Sequence, residues 1–179
     1  MIRLINKVVI LIVVILLTAS CSNETSLQKY YVDSENKSDI LMIDIPTSLL
    51  VVKEDISVEA KQALESIDKL NLLAFKLNNK NAVAFAEEKA KVKQILANSN
   101  YQELLKVNDK GRKVTVKYLG SDDAMDEVVV YASDKKYGFA LGRLLGNNMK
   151  PENMLKLLEG IKDMDADNET FKVLKNFMK

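Results

Sequence analysis

The sequence predicts an α+β domain: a mixed, mostly antiparallel sheet of about five strands with helices packed on one face, in the order β-α-β-α-β-β-β-α-α. Three observations predict it. Residues 113–144 hold three strand-length segments separated by short polar turns. Upstream of them, two short apolar runs are interleaved with two stretches of helical periodicity, and downstream Pro151 opens another helical pattern. Mixed order followed by a consecutive antiparallel run fits helices layered on a sheet better than a doubly wound fold.

Taken in order, Ile40-Leu41-Met42-Ile43-Asp44-Ile45 is short, rich in isoleucine and ended by Pro46, which reads as a strand. Ser57 offers an N-cap, Glu59 suits the first turn, and Ala60, Ala63, Leu64 and Ile67 recur at helical spacing. Leu70 to Leu77 is a second strand, and a strand-helix-strand link predicts that the first two strands pair in parallel. Asn81 is placed to cap a helix from Ala82 to about Ala97, with Phe85, Val92 and Leu96 on one face and Glu87 four residues before Lys91. Tyr101-Gln102-Glu103-Leu104-Leu105 reads as a further helical turn.

Val114, Val116 and Tyr118 then alternate with Lys113, Thr115 and Lys117, the period-two signature of a strand with one buried and one wet face. Glu127 to Ala132 and Tyr137 to Leu144 follow across the turns Gly120-Ser121-Asp122-Asp123 and Ser133-Asp134-Lys135-Lys136, which predicts an antiparallel meander. Pro151 at a first helical position, with Met154, Leu158 and Ile161 behind it, starts the next helix. Phe171, Leu174 and Met178 suggest a last short helix after the polar stretch Asp163 to Asn168. It is amphipathic and basic, but about two turns are marginal alone, so docking onto the domain is the favoured reading over a membrane surface.

The first twenty residues differ from the rest. Arg3 and Lys7 form a short basic region, Val8 to Leu17 is an unbroken apolar run, and Thr18-Ala19-Ser20-Cys21 ends it. This is signal-peptide architecture, and the run is about half of the roughly 20 residues a membrane-crossing helix needs. Leu17-Thr18-Ala19-Ser20-Cys21 is similar to a lipobox, with Thr18 where the strictest form has Leu. Cleavage between Ser20 and Cys21 and acylation of Cys21, with palmitate-type chains, are therefore expected. Three acyl chains exceed the two signals that stable anchoring takes. Ser22 rather than Asp after the cysteine favours the outer membrane over the inner one.

The expected organisation is a removed signal peptide at 1–20, a lipidated N-terminus and polar flexible tether at 21–38, an α+β domain at 39–163 and a helical extension at 164–179. Within 21–38 the pair Tyr30-Tyr31 is the segment expected to touch the domain.

Composition removes several classes of function. Hydrophobic residues make up 47% and charged residues 28%, the range of an ordinary globular chain. Of 26 basic residues, Arg3 and Lys7 leave with the signal peptide, so 24 face 25 acidic ones. That balance argues against nucleic acid as a partner. Histidine is absent and Cys21 is the only cysteine, which excludes Cys/His zinc sites, Cys-His nucleophiles, Ser-His-Asp triads and an internal disulfide. No cofactor is expected.

Ile43-Asp44-Ile45-Pro46 with Leu49, Ile67 with Leu70-Asn71-Leu72-Leu73, Tyr101-Gln102-Glu103-Leu104-Leu105, Val114-Thr115-Val116-Lys117-Tyr118 and Asp126-Glu127-Val128-Val129-Val130 carry a resemblance. On these segments the chain, over roughly residues 30–161, resembles a family of bacterial envelope lipoproteins with a domain of unknown function. The resemblance implies no catalytic residues. Through the sigma-factor genes near which genes of that family lie, it implies a link to envelope stress signalling.

Three residue groups invite a chemical reading. Asp163, Asp165 and Asp167 alternate as in a calcium loop, but Asn168 stands at the turn glycine and Leu174 at the bidentate glutamate, so a solvated loop is favoured. Asp122, Asp123, Asp126 and Glu127 cluster between two strands; a solvated turn is favoured over a catalytic pair. Gly138, Gly142 and Gly146 lack the Gly-Lys-Ser/Thr of a phosphate loop and flank Arg143, which disfavours a membrane helix, so close packing in a strand is expected. The functional expectation is a non-catalytic envelope lipoprotein, a binding or structural module whose sheet surface binds another protein or a small ligand, with another envelope protein as the expected partner. The alternative is a carboxylate-based hydrolase acting on an envelope polymer.

Overall fold

The computed structural model describes residues 26–46, 56–109 and 111–162. Among the described residues the first element is helix α1 (Leu27–Ser34), followed by β1 (Ile40–Ile45), α2 (Val58–Glu65), β2 (Ile67–Lys76) and α3 (Ala82–Leu96). Then come β3 (Gln102–Asp109), β4 (Arg112–Gly120), β5 (Met125–Asp134), β6 (Gly138–Met149) and α4 (Pro151–Lys162). All six strands join one sheet in the order β1-β2-β6-β5-β4-β3, and every pairing is antiparallel. The α+β class and the meander agree with the sequence, with six strands in place of about five.

Alternation along the strands sorts side chains onto two faces, and both are covered. Leu73 and Phe75 of β2, Val129 and Tyr131 of β5, and Phe139 and Leu141 of β6 pack under α1 and α3 through Leu27, Tyr30, Tyr31, Val92, Ile95 and Leu96. Val116 and Tyr118 of β4, Val128 of β5 and Leu144 of β6 pack under α2 and α4 through Ala60, Ala63, Met154 and Leu157. Helices on one face only is thus corrected. β5 and β6, central in the sheet, are apolar in both phases, and such strands need a cover on each side.

Three local readings change as well. Residues 27–34, expected within a tether, form α1, with Leu27 and Tyr30 each 2% exposed. Leu27, Tyr30, Tyr31 and Ser34 lie at i, i+3, i+4 and i+7, one helical stripe, and Ser26 caps it by accepting from the Lys29 N–H. Residues 101–105, expected as a helical turn, lead into β3, where a bulge between Glu103 and Leu105 lets both Leu104 and Leu105 pack on the α2/α4 side. β1 and β2 pair antiparallel, because α2 passes through Ser66 alone into β2 at the end of the sheet where β1 finishes.

Ser57 caps α2 as expected, accepting from the Ala60 N–H at 3.2 Å. Asn81 instead bonds the preceding loop, accepting from the Asn78 N–H and donating to the Lys76 carbonyl. Phe75, Phe139, Phe85 and Tyr131 form an aromatic group under α3 with ring centroids 5.6–6.1 Å apart. The C-terminal helix expected around Phe171, Leu174 and Met178 lies outside the described residues.

Candidate functional site

The polar layer under α1 is the most concentrated group of buried polar side chains. Period two puts Glu127 in phase with Val129 and Tyr131, and Arg143 in phase with Phe139 and Leu141, so both charges point into the α1/α3 face. Their side chains are 7% and 10% exposed, and Arg143 Nη2 meets Glu127 Oε2 at 2.7 Å. Tyr101, at the entry to β3, donates its hydroxyl to Glu127 Oε1 at 2.8 Å. Arg143 Nη1 donates to Gln28 of α1, and the Tyr31 hydroxyl lies 3.4 Å from both the Asn71 and Leu141 carbonyls. Among the described residues Arg143 Nε is buried with no partner.

The network joins α1, β2, β3, β5 and β6. Burial, then the neighbouring Glu127 carboxylate, push the Tyr101 hydroxyl above the ordinary phenol range. Burial does the same to Tyr31 against the opposing pull of Arg143. Both hydroxyls are held neutral, as hydrogen-bond donors.

A second group ties α1 to α3. Glu88 Oε1 accepts from Lys37 and Lys91, both at 2.9 Å. Burial raises the Glu88 carboxyl, but the hydrogen bonds from Lys91 and Lys37 outweigh it and hold the group below its usual value. The Tyr30 hydroxyl and Glu88 Oε2 are neighbours, both buried, and among the described residues neither has a partner in hydrogen-bonding geometry.

The sequence candidates separate. Glu127 leaves the acidic cluster for the buried pair, while Asp126 in β5 and Asp122 and Asp123 at the β4–β5 connection are exposed, and Asp122 accepts from the Tyr118 hydroxyl at 2.7 Å. Gly138 and Gly146 of β6 back onto chain: a Cβ on Gly138 would collide with the Phe75 carbonyl, and one on Gly146 with that of Ser66. Ser20, Cys21, Asp163, Asp165 and Asp167 lie outside the described residues. Among the described residues no group of three acids forms a metal cluster, and no helix is long and apolar enough to cross a membrane. Sequence reasoning missed Arg143 as a partner for Glu127. The signal was there: opposite charges stand in phase with buried residues on two strands joined by a three-residue turn.

An open depression of about 520 Å³ lies at the other end of the sheet, lined by Asp109, Gly111 and Arg112 from the β3–β4 turn and by Asp134, Lys135, Lys136 and Tyr137 from the β5–β6 turn. Arg112 Nε pairs with Asp134 at 3.2 Å there.

The fold defines an open antiparallel α+β domain whose buried acids Glu88 and Glu127 are each engaged by cations. A family model described as a domain of unknown function (DUF4252) matches residues 30–157, and the chain belongs to that family. No curated protein and no solved structure matches the chain.

Proposed function

We propose that the protein is a lipid-anchored component of the bacterial cell envelope, held by acyl chains on Cys21 and acting as a non-catalytic binding module for another envelope protein. The observation that carries the anchor is the apolar run Val8 to Leu17 ending in Thr18-Ala19-Ser20-Cys21, the sole cysteine of the chain. Ser22 directs it to the outer membrane. The non-catalytic part is supported by where the carboxylates fall: Glu127 is committed to Arg143 and Tyr101, and Asp122 sits on an exposed turn bound to Tyr118.

Helix α1 sharpens the anchoring geometry. Ser26, its cap, is the fifth residue after Cys21, and five residues reach at most roughly 18 Å. The domain therefore rides close to the bilayer rather than at the end of a long polar leash. Metabolic labelling with a fatty acid, followed by membrane fractionation, tests the reading. Wild type should carry label and sediment with membranes, and Cys21→Ala should do neither. Label retained in Cys21→Ala would overturn the anchor. Turnover of an envelope polymer that is lost with Asp122→Asn or Asp126→Asn would overturn the non-catalytic assignment.

A further inference from the structure

Cover on the α2/α4 face stops short of one end of the sheet. The strands are long and the helices short: β6 has 12 residues, roughly 40 Å of strand, whereas the 12 residues of α4 span about 18 Å and the 8 of α2 about 12 Å. Both helices are tied to the same end. α4 begins just past Met149, where β6 finishes, and α2 runs through Ser66 into Ile67, which pairs with Gly146 near that finish. Whatever their direction, they leave the part of the face nearest the β3–β4 and β5–β6 turns beyond their reach.

Burial follows the same division. Tyr118, Val128 and Leu144, cross-strand neighbours level with the helices, are buried. Two rows nearer the turns, Val114, Ala132 and Ala140 are neighbours on the same face and only half-buried, and Val107 beside them is 45% exposed. On the opposite face at that level Tyr131 and Phe139 are buried in the α1/α3 core. A depression of about 270 Å³ lies at this open end, and its lining includes Val114, Ala132, Ala140 and Tyr137 with the Arg112–Asp134 pair.

We propose that this open end of the α2/α4 face is the docking site of residues 171–178 of the same chain, which lie on it as a short amphipathic helix. Phe171, Leu174 and Met178 stand at i, i+3 and i+7, and Lys172, Lys175 and Lys179 repeat that spacing one residue later, which separates an apolar side from a basic one. The chain leaves for this segment from α4, the helix already on that face. Residues 163–170 between them reach at most roughly 28 Å, enough to cross the strand length that α4 leaves open. About two turns are marginal alone and need a surface, and an effective concentration in the millimolar range, set by a short linker, favours the chain's own segment over a second copy. Residues 47–55 are placed less well, since they leave β1 beside Ile45, level with Leu144, and return at Ile56, both at the covered end. The inference goes beyond the binding-module reading and does not depend on the anchor.

The test is thiol reactivity in residues 21–179 carrying Cys21→Ser, a span that holds every described element. Val114→Cys and Lys113→Cys each supply the sole thiol, at adjacent positions of β4 on opposite faces. With N-ethylmaleimide the Val114→Cys thiol should react about tenfold more slowly than in the same chain carrying Phe171→Ser/Leu174→Ser/Met178→Ser, as for a site reached only when a local cover opens. The Lys113→Cys thiol should react alike with and without those three changes. Ala140→Cys repeats the measurement on β6, independently of any disturbance to β4. Oxidation of Val114→Cys/Leu174→Cys should close a disulfide within one chain, and Lys113→Cys/Leu174→Cys should not. The proposal is overturned if the Val114→Cys and Ala140→Cys thiols ignore the three changes, whether they stay open or stay covered by another segment. A disulfide that forms only between chains would overturn it equally, as the mark of a second copy on this face.

Discussion

Replacing Glu127 by leucine should unfold the protein far more readily than replacing Glu127 and Arg143 together. In Glu127→Leu the Arg143 guanidinium stays under α1, 10% exposed, with Nη2 stripped of its 2.7 Å partner and Nε already unpaired. The Tyr101 hydroxyl loses its acceptor in the same step. Removing one partner of a buried ion pair costs about 3–5 kcal/mol, because the remaining charge is left without compensation. In Glu127→Leu/Arg143→Met the charge is gone, and the residual cost is the orphaned Tyr101 hydroxyl and the lost Gln28 contact, about 1–3 kcal/mol. The assay is urea unfolding of the mature-length chain carrying Cys21→Ser, run as a double-mutant cycle. With a slope of about 2 kcal/mol per molar urea, the single variant should lower the midpoint by about 2 M and the double by about 1 M. A single variant within about 0.5 M of the parent, or a double variant as damaged as the sum of both singles, would refute the buried-pair argument.

Leu27→Ala should cost about 2–5 kcal/mol in the same assay, since Leu27 is 2% exposed in the α1 interface; a residue in a solvated tether would give no shift. Gly138→Ala should cost more than about 2 kcal/mol and lower the thermal midpoint, because φ is +122° and the added methyl meets the Phe75 carbonyl. Stability should fall as pH rises above about 10, the value for a free tyrosine. Burial holds Tyr30, Tyr31 and Tyr101 protonated in the fold while the unfolded chain releases those protons. The unfolded state then binds fewer protons, so the free energy of unfolding decreases with pH. Urea midpoints at pH 9, 10 and 11 read this directly, and Tyr31→Phe should flatten the decline.

The readable parts of the fold were those where local pattern and tertiary role agree. β4, with Val114, Val116 and Tyr118 in strict alternation, and α4, started by Pro151, are set by short-range rules that packing does not override. β3 was obscured because Glu103-Leu104-Leu105-Lys106 suits a helix as well as a strand, and only pairing with β4 across a bulge decides it. α1 was obscured by composition: Ser, Lys, Asp and Glu surround a clear stripe of Leu27, Tyr30, Tyr31 and Ser34, and polarity outweighed periodicity. The antiparallel β1–β2 pairing was hidden because it depends on which end of the sheet α2 re-enters.

Of the candidate site, the acids were found in the sequence but not their division, since alternation sends Glu127 inward and Asp126 outward from adjacent positions.

The proposed anchor at Cys21 is the central claim, and intact mass analysis of the protein purified from native membranes tests it most directly. The account predicts a mature chain that begins at Cys21 and carries the mass of a thioether-linked diacylglycerol plus an N-linked acyl chain. A chain that begins elsewhere, or one that retains a free Cys21 thiol, would contradict it.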